Sequence, residues 1–291
     1  MALTSRVSLV GPPDSNPEDF FASSLGVIFP DDVTNQHGDA SHSLLYTSPN
    51  LPKPLQLTLC DPIEESDRRL FSHFLWNASL QMAEFIEAST RDVALASPSS
   101  LGPEKPRTWD ITGRTVIELG AGTALPSLVS AILGARRVVI TDYPAPPVIT
   151  NLKSNLTRCA PHADAVVEPH IWGELEDELA RAGKGKFDRV VACDCLWMPW
   201  QHDNLRRSIA HFLANTLDAR AWVIGGFHTG REKMRGFFDA GALAAVGLEI
   251  ESIWERDCDG IERRWVWDRR VEDITLRKRW LAVAILRRLR H

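Results

Sequence analysis

From Thr115 onward, short apolar runs alternate with segments whose apolar positions recur at helical spacing. Thr115-Val116-Ile117-Glu118-Leu119 reads as a short buried strand, and Leu125 to Leu133 as a helix with Pro126 in its first turn. Arg137 to Thr141 predicts a second strand, Val148 to Leu156 a helix, and Ala165-Val166-Val167 the start of a third strand. A fourth strand runs from Phe187 to Ala192, a helix from Asn204 to Leu217, and a fifth strand from Ala221 to Gly226. A helix over Glu232 to Ala240 precedes two more strands, Leu248 to Trp254 and Trp280 to Leu286. Strands separated by helices imply parallel pairing through right-handed crossovers, so the expectation is an α/β, doubly wound sheet of seven strands with helices on both faces.

The first part of the chain follows another pattern. Residues 1–22 read as a flexible arm. Leu44-Leu45-Tyr46 and Leu55 to Leu59 predict two strands, the second with period-2 alternation and a proline-rich turn before it. Leu70 to Glu87 predicts a helix, and the Ser/Pro-rich stretch Ala94 to Pro106 a loop. This divides the chain into the arm, an N-terminal region over 23–110 with a small β-containing extension, and the main domain over 111–291.

Composition narrows the class without naming a function. A chain of 291 residues with 44% hydrophobic and 24% charged residues is ordinary for a globular protein. The formal charge of -5 gives no general affinity for nucleic acid. The distribution is uneven, because Arg263 to His291 holds ten Lys/Arg against Asp268, Glu272 and Asp273. That run either attracts an acidic partner or flanks the last strands as solvated charge. Five scattered cysteines without a CxxC pair suggest neither a disulfide framework nor a zinc site. No stretch reaches the roughly 18 apolar residues of a membrane span, and Met1 to Phe21 lacks the apolar run of a signal peptide. A cytoplasmic protein with no membrane partner and no metal is the expectation.

The chemistry concentrates at Glu118-Leu119-Gly120-Ala121-Gly122. A glycine turn after a first strand lets backbone approach a ligand, and the following helix start offers free N–H groups. Gly120 and Gly122 satisfy two positions of the dinucleotide fingerprint, while Leu125 stands at the third. Asp142, ending the second strand, is placed to accept hydrogen bonds from ribose hydroxyls. Glu118 beside the loop would repel a pyrophosphate, which favours a phosphate-free cationic cofactor, S-adenosyl-L-methionine, over a nicotinamide dinucleotide.

At these residues the chain resembles the class I methyltransferases, with their Rossmann-like seven-stranded sheet. More narrowly, it is similar to the nicotinamide-N-methyltransferase-like group of protein-lysine and N-terminal methyltransferases, including fungal enzymes acting on translation elongation factor 1-alpha. The resemblance rests on Leu75-Trp76-Asn77-Ala78, the Glu118–Gly122 loop with Leu125-Pro126-Ser127, Thr141-Asp142-Tyr143-Pro144, Ile171-Trp172-Gly173 and Asp194-Cys195-Leu196-Trp197, in that order. It implies that Trp76 and Trp172 line the cofactor site with Tyr143. It further implies that Gly120, Ala121 and Gly122 form the backbone cradle, that Asp142 binds ribose, and that Cys193 lies near the adenosyl group. Asp194 with Trp197 matches an acidic-x-x-aromatic signature beside the acceptor. Trp197 replaces the commoner Tyr or Phe there, and Phe227-His228-Thr229-Gly230-Arg231 only partly matches the relatives' histidine segment.

An amine must lose its proton before it can attack a sulfonium methyl, and an aromatic, desolvated pocket helps it do so. Trp197, Trp200 and Phe227 are candidates for such walls, Asp194 for orienting the amine, and His228 or His202 for accepting the proton. Plainer roles stay open: the tryptophans as cover for the sheet edge, Trp76 as core, His228 as a loop residue. The expected activity is therefore methylation of a protein lysine or N-terminal amine. A small-amine N-methyltransferase, or an idle cofactor-binding protein, is the alternative.

Overall fold

The structure is a computed structural model that describes residues 3–11, 35–38, 42–60, 74–102 and 108–290. Near the N-terminus, β1 (Val7–Val10) pairs antiparallel with β3 (Ser43–Tyr46), which pairs with β4 (Leu55–Leu57). A two-residue strand β2 (Gln36–His37) pairs with β5 (Leu75–Trp76). The main sheet comprises β6 (Thr115–Leu119), β7 (Arg137–Asp142), β8 (Ala165–Pro169), β9 (Arg189–Cys193) and β10 (Arg220–Gly226). It is completed by β11 (Leu248–Asp257), β12 (Glu262–Arg264) and β13 (Trp280–Arg288).

Its spatial order is β12-β11-β13-β10-β9-β6-β7-β8. The five strands from β10 to β8 pair in parallel. The order reverses at β6, whose neighbours are β9 and β7, and this is where a crevice opens above the strand ends. The seven expected strands are all present, and β12 adds a short eighth at the edge. The last three are antiparallel rather than parallel. No long helix crosses between β11 and β13, so these strands return directly alongside each other.

Alternate side chains of the parallel strands enter two separate cores. Val116, Val138 and Ile140 join the helices Asn77–Arg91, Leu125–Ile132 and Pro146–Cys159 on one face. Ile117, Val139 and Val190 join Leu205, Ile209 and Phe212 of the helix His202–Phe212 on the other. Period-2 alternation thus feeds both layers, as a sheet buried on both faces requires.

Three helix expectations need correction. The helix read as starting at Leu70 begins at Asn77, because Leu75–Trp76 is spent as a strand; residues 70–73 lie outside the described set. The helix expected over Glu232 to Ala240 is broken into Arg231–Arg235, a 3-10 turn at Gly236–Phe238, and a second helix Ala240–Ala245 capped by Asp239. The helix expected to reach Leu217 stops at Phe212, where Leu213 turns extended and bridges to Phe187.

Leu3–Val10, expected within a flexible arm, form a 3-10 turn and β1; residues 12–22 lie outside the described set. The buried Arg6 guanidinium donates to Tyr46 and Glu87 through Nη1 and to Glu84 through Nη2, each at 3.2 Å. This ties the first residues to the helix Asn77–Arg91, whose opening turn borders the crevice. Truncating one partner of a buried ion pair leaves the other charge stranded. Arg6→Ala is therefore expected to lower stability by about 3–5 kcal/mol in urea unfolding. A loss below about 1 kcal/mol, the range of an exposed pair, would show the segment is not anchored there.

Candidate active site

The loop after β6 is shaped by three left-handed residues: Gly120 (φ 70°), Gly122 (φ 56°) and Ala124 (φ 66°). Hydrogen bonds to β7 hold it there. The Ala121 N–H donates to the Thr141 carbonyl at 3.0 Å, and the Thr141 hydroxyl donates to the Glu118 carbonyl at 2.6 Å. The Gly122 N–H donates to Asp142 Oδ2 at 2.8 Å, while Asp142 Oδ1 accepts the Tyr143 N–H at 2.7 Å. A Cβ on Gly120 would lie 2.8 Å from Cys195 Sγ and 2.9 Å from the Trp172 ring, so only glycine fits.

A cleft with about 880 Å³ of empty space, partly open to solvent, lies against this loop. Gly120, Ala121 and Gly122 border it, together with Asp142 and Tyr143. Trp76, Trp172, Cys193 and Trp197 border it as well. Burial pushes the Asp142 carboxyl up to about 6, despite the two backbone donors that favour its charge.

Glu118 is placed differently from the expectation. Its side chain is fully buried behind the loop, where Oε2 accepts the Ser127 N–H at 3.1 Å. Ser127 is in the first turn of a helix whose own N-cap, Ala124, offers no side-chain acceptor, so Glu118 supplies the cap from the strand. Its Oε1 has no hydrogen-bond partner, and burial pushes the carboxyl up to about 8. A carboxyl largely protonated at neutral pH repels a pyrophosphate weakly. Its charge is thus a poorer discriminator than the sequence suggests.

Asp194 sits just past β9 in the left-handed region, at φ 57°. Such a conformation costs a non-glycine residue on the order of 1–3 kcal/mol. Its Oδ1 accepts the Gly226 N–H at 3.0 Å and lies 3.7 Å from His228 Nδ1, which is buried without a hydrogen-bond partner. Burial raises the Asp194 carboxyl, with His228 and the Gly226 N–H opposing the shift. The His228 ring stacks on Trp76 at 4.8 Å between centroids and 23° between planes. Asp194 and His228 therefore do not border the cleft themselves; they adjoin it through Trp76.

Three further candidate walls and relays lie elsewhere. Phe227 is fully buried, with the Arg231 guanidinium 4.3 Å from its ring centre. Trp200 is 71% exposed and meets Trp197 edge-on. His202 is bound through Nε2 to the Leu196 carbonyl at 2.9 Å and faces Phe237; burial lowers its pKa.

Sequence reasoning missed other residues that border the cleft, among them Phe74, Ser79, His170, Cys195 and Gln201. Ser79 was within reach, being the first turn of the helix that starts beside Trp76. Cys195 follows from its two-residue spacing to Cys193 across the Asp194 kink. His170 had no local signal. Among the described residues, no cluster of His, Cys, Asp or Glu suits a metal ion, and no helix is long and apolar enough to cross a membrane.

Residues 60–240 match a family model described as lysine methyltransferase. The chain belongs to this family. The methyltransferase is 32% identical over 212 residues to the protein N-terminal and lysine N-methyltransferase EFM7 of Gibberella zeae, covering 65% of this chain and 70% of that one. It is 29% identical over 214 residues to the corresponding Schizosaccharomyces pombe protein, covering 71% and 74%. In fold, it superposes on a putative SAM-dependent methyltransferase from Streptococcus mutans with a TM-score of 0.52 at 11% identity, over 92% of this chain and 65% of that one. A putative methyltransferase complexed with SAH gives a TM-score of 0.51 at 11% identity, with the same coverage.

Glu118 makes stability depend on pH in this methyltransferase. Its folded pKa is about 8 against an ordinary 4.5, so between these values the native state holds a proton that the unfolded chain has released. Stability is thus lost as pH rises through that window. Glu118→Gln lacks this penalty, and its stability relative to wild type should climb by as much as ~4 kcal/mol between pH 5 and 8 in urea titrations. A stability difference that stays flat with pH would mean that Glu118 ionises normally.

Proposed function

We propose that this methyltransferase uses S-adenosylmethionine to methylate an amine of a protein, either a lysine side chain or an N-terminal amino group. The observation that carries the reading is the pairing of a backbone cradle whose Gly120 admits no Cβ with a strand-end aspartate and an aromatic wall, Trp76, Trp172 and Trp197, around one cleft. The residues fit the cofactor. Backbone at Gly120–Gly122 admits close approach, and Asp142 keeps lone pairs for ribose hydroxyls after accepting two N–H groups. Trp172 and Tyr143 offer faces for the adenine, with Cys193 beside the adenosyl group. When bound, the cofactor supplies a sulfonium-activated methyl group for in-line displacement.

The protein's own part is to position and to deprotonate. A free lysine holds its proton up to about pH 10.4, and a dry aromatic pocket lowers that value. Trp197 and Trp76 exclude water from the reacting amine, and their faces favour the methylated cation that results. Asp194 and His228 adjoin the cleft behind Trp76, so Asp194 would orient an amine that reaches past that ring by accepting its hydrogen bond. His228 is 3.7 Å from that carboxylate with Nδ1 unpartnered, so a small closure lets it take the released proton. The names of the relatives, which act on protein N-termini and lysines, support the choice of acceptor.

Radiolabelled cofactor incubated with fractionated lysate should place label on protein; label confined to low-mass material would point to a small amine instead. S-adenosylhomocysteine should raise the melting temperature by mass action, and Asp142→Ala should remove most of that rise. Asp194→Ala should keep the rise while turnover drops by about 10²-fold or more. Unchanged turnover would take Asp194 out of the site.

A further inference from the structure

The β11–β13 connection takes no part in the chemistry above, yet it borders a second cavity with about 1380 Å³ of empty space, partly open to solvent. The cavity holds much of the basic run noted in the sequence, and most of those charges are spent. Arg263 pairs with Glu255 and Glu272, Arg269 with Glu255, and Arg279 with Asp257 and Asp259. The bordering acids are engaged too, Asp268 by the Arg270 backbone N–H at 2.7 Å. Glu272 also holds Arg231, and Asp273 caps the short helix Ile274–Arg277.

Arg270 and Arg277 are the exceptions; Arg270 is exposed to solvent, whereas Arg277 is half-buried. The Arg277 Nε is buried without a hydrogen-bond partner, and among the described residues its guanidinium makes no ion pair. Arg6, Arg189 and Arg288 also have an unpartnered Nε, but each engages acceptors through its other nitrogens. A guanidinium left over in a half-enclosed cavity is a receptor for an anion.

Two further observations say which anion. Arg277 lies against Gly230, where an added Cβ would be 3.6 Å from Nη1, only two residues beyond His228. The cavity therefore adjoins the acceptor end of the active site. Exposed aliphatic side chains stand among the charges of its lining: Ile261, Val271 and Leu276 are 61%, 95% and 58% exposed and all border it. Arginine interleaved with exposed aliphatic side chains is the composition of a protein interface, whereas a site for free phosphate needs no exposed aliphatics.

We propose that this cavity docks an acidic segment of the acceptor protein, with an Asp or Glu carboxylate on Arg277 and apolar neighbours on Val271 and Leu276, while the amine reaches the cleft. The inference rests on the protein-methylation reading. Such a contact selects among proteins that all expose lysines, because an acceptor without the acid leaves Arg277 unpaired.

The test uses the full chain and fluorescein-labelled hexaglutamate, read by fluorescence anisotropy at low ionic strength. Wild type should bind it. Arg277→Glu should weaken binding about tenfold or more, with Arg277→Lys between the two. Val271→Asp should weaken it as well, and inorganic phosphate should compete poorly. Each variant should keep the melting rise with S-adenosylhomocysteine, which shows that the fold and cleft are intact. Binding unaffected by Arg277→Glu overturns the proposal, as does phosphate competing as well as hexaglutamate. Hexaglutamate binding that depends on Arg277 in a protein that ignores S-adenosylhomocysteine would support the docking surface and remove the donor reading alone.

Discussion

The Asp142 carboxylate, holding the N–H groups of Gly122 and Tyr143 with its two oxygens, is the contact on which the cleft depends. It joins the end of β7 to the loop after β6 across the switch point of the sheet, and so fixes the left-handed turn that opens the helix Leu125–Ile132. With the turn fixed, Gly120 sits in contact distance of Cys195 and Trp172, and residues from the ends of β6, β7, β8 and β9 border a single cleft. Burial makes the carboxylate costly, pushing it up to about 6. A group kept at such cost is one whose remaining lone pairs have a use.

The acceptor end is held by a different device. Glu255, fully buried on β11, receives Arg231, Arg263 and Arg269, and Glu272 shares the first two. Arg231 also lies over the Phe227 ring. Through these contacts the segment Phe227–Arg231, which carries His228, is pinned to the antiparallel edge of the sheet. Ion pairs of this burial contribute little net stability but penalise every arrangement that breaks them, so they act chiefly to fix one geometry. The loop bearing the proposed proton acceptor is therefore tied to the same connection that carries Arg277.

Much of this was legible in the sequence because it is written locally. Strands β6 to β10 and the helices between them follow from runs of apolar residues whose period changes at each turn. The glycine loop and Asp142 follow from residue type and spacing. What was not legible depends on orientation and long-range pairing. Glu118 is one residue before Leu119 and two before Gly120, yet its side chain turns back to cap a helix. Phe227 next to Gly226 looks like a pocket wall, but its ring is buried under Arg231, which Glu255 and Glu272 hold in place from later in the chain. The basic run near the C-terminus reads as one feature in the sequence, while the fold pairs Arg263, Arg269, Arg279 and Arg287 with acids and leaves Arg277 without one. The antiparallel return of β13 between β10 and β11 has no signature in periodicity, since a strand's apolar pattern does not record its direction.

The central claim is that backbone at Gly120 must come closer to a ligand than any side chain permits. Calorimetric titration with S-adenosylhomocysteine of wild type and Gly120→Ala tests it directly, with circular dichroism confirming that both are folded. The φ of 70° and the 2.8 Å approach to Cys195 Sγ require the loop or its neighbours to shift. The expected result is tight binding to wild type and an affinity loss of about a hundredfold, or roughly 2.7 kcal/mol, in the variant. Equal affinity in the two proteins, or no heat of binding to wild type, would contradict the account.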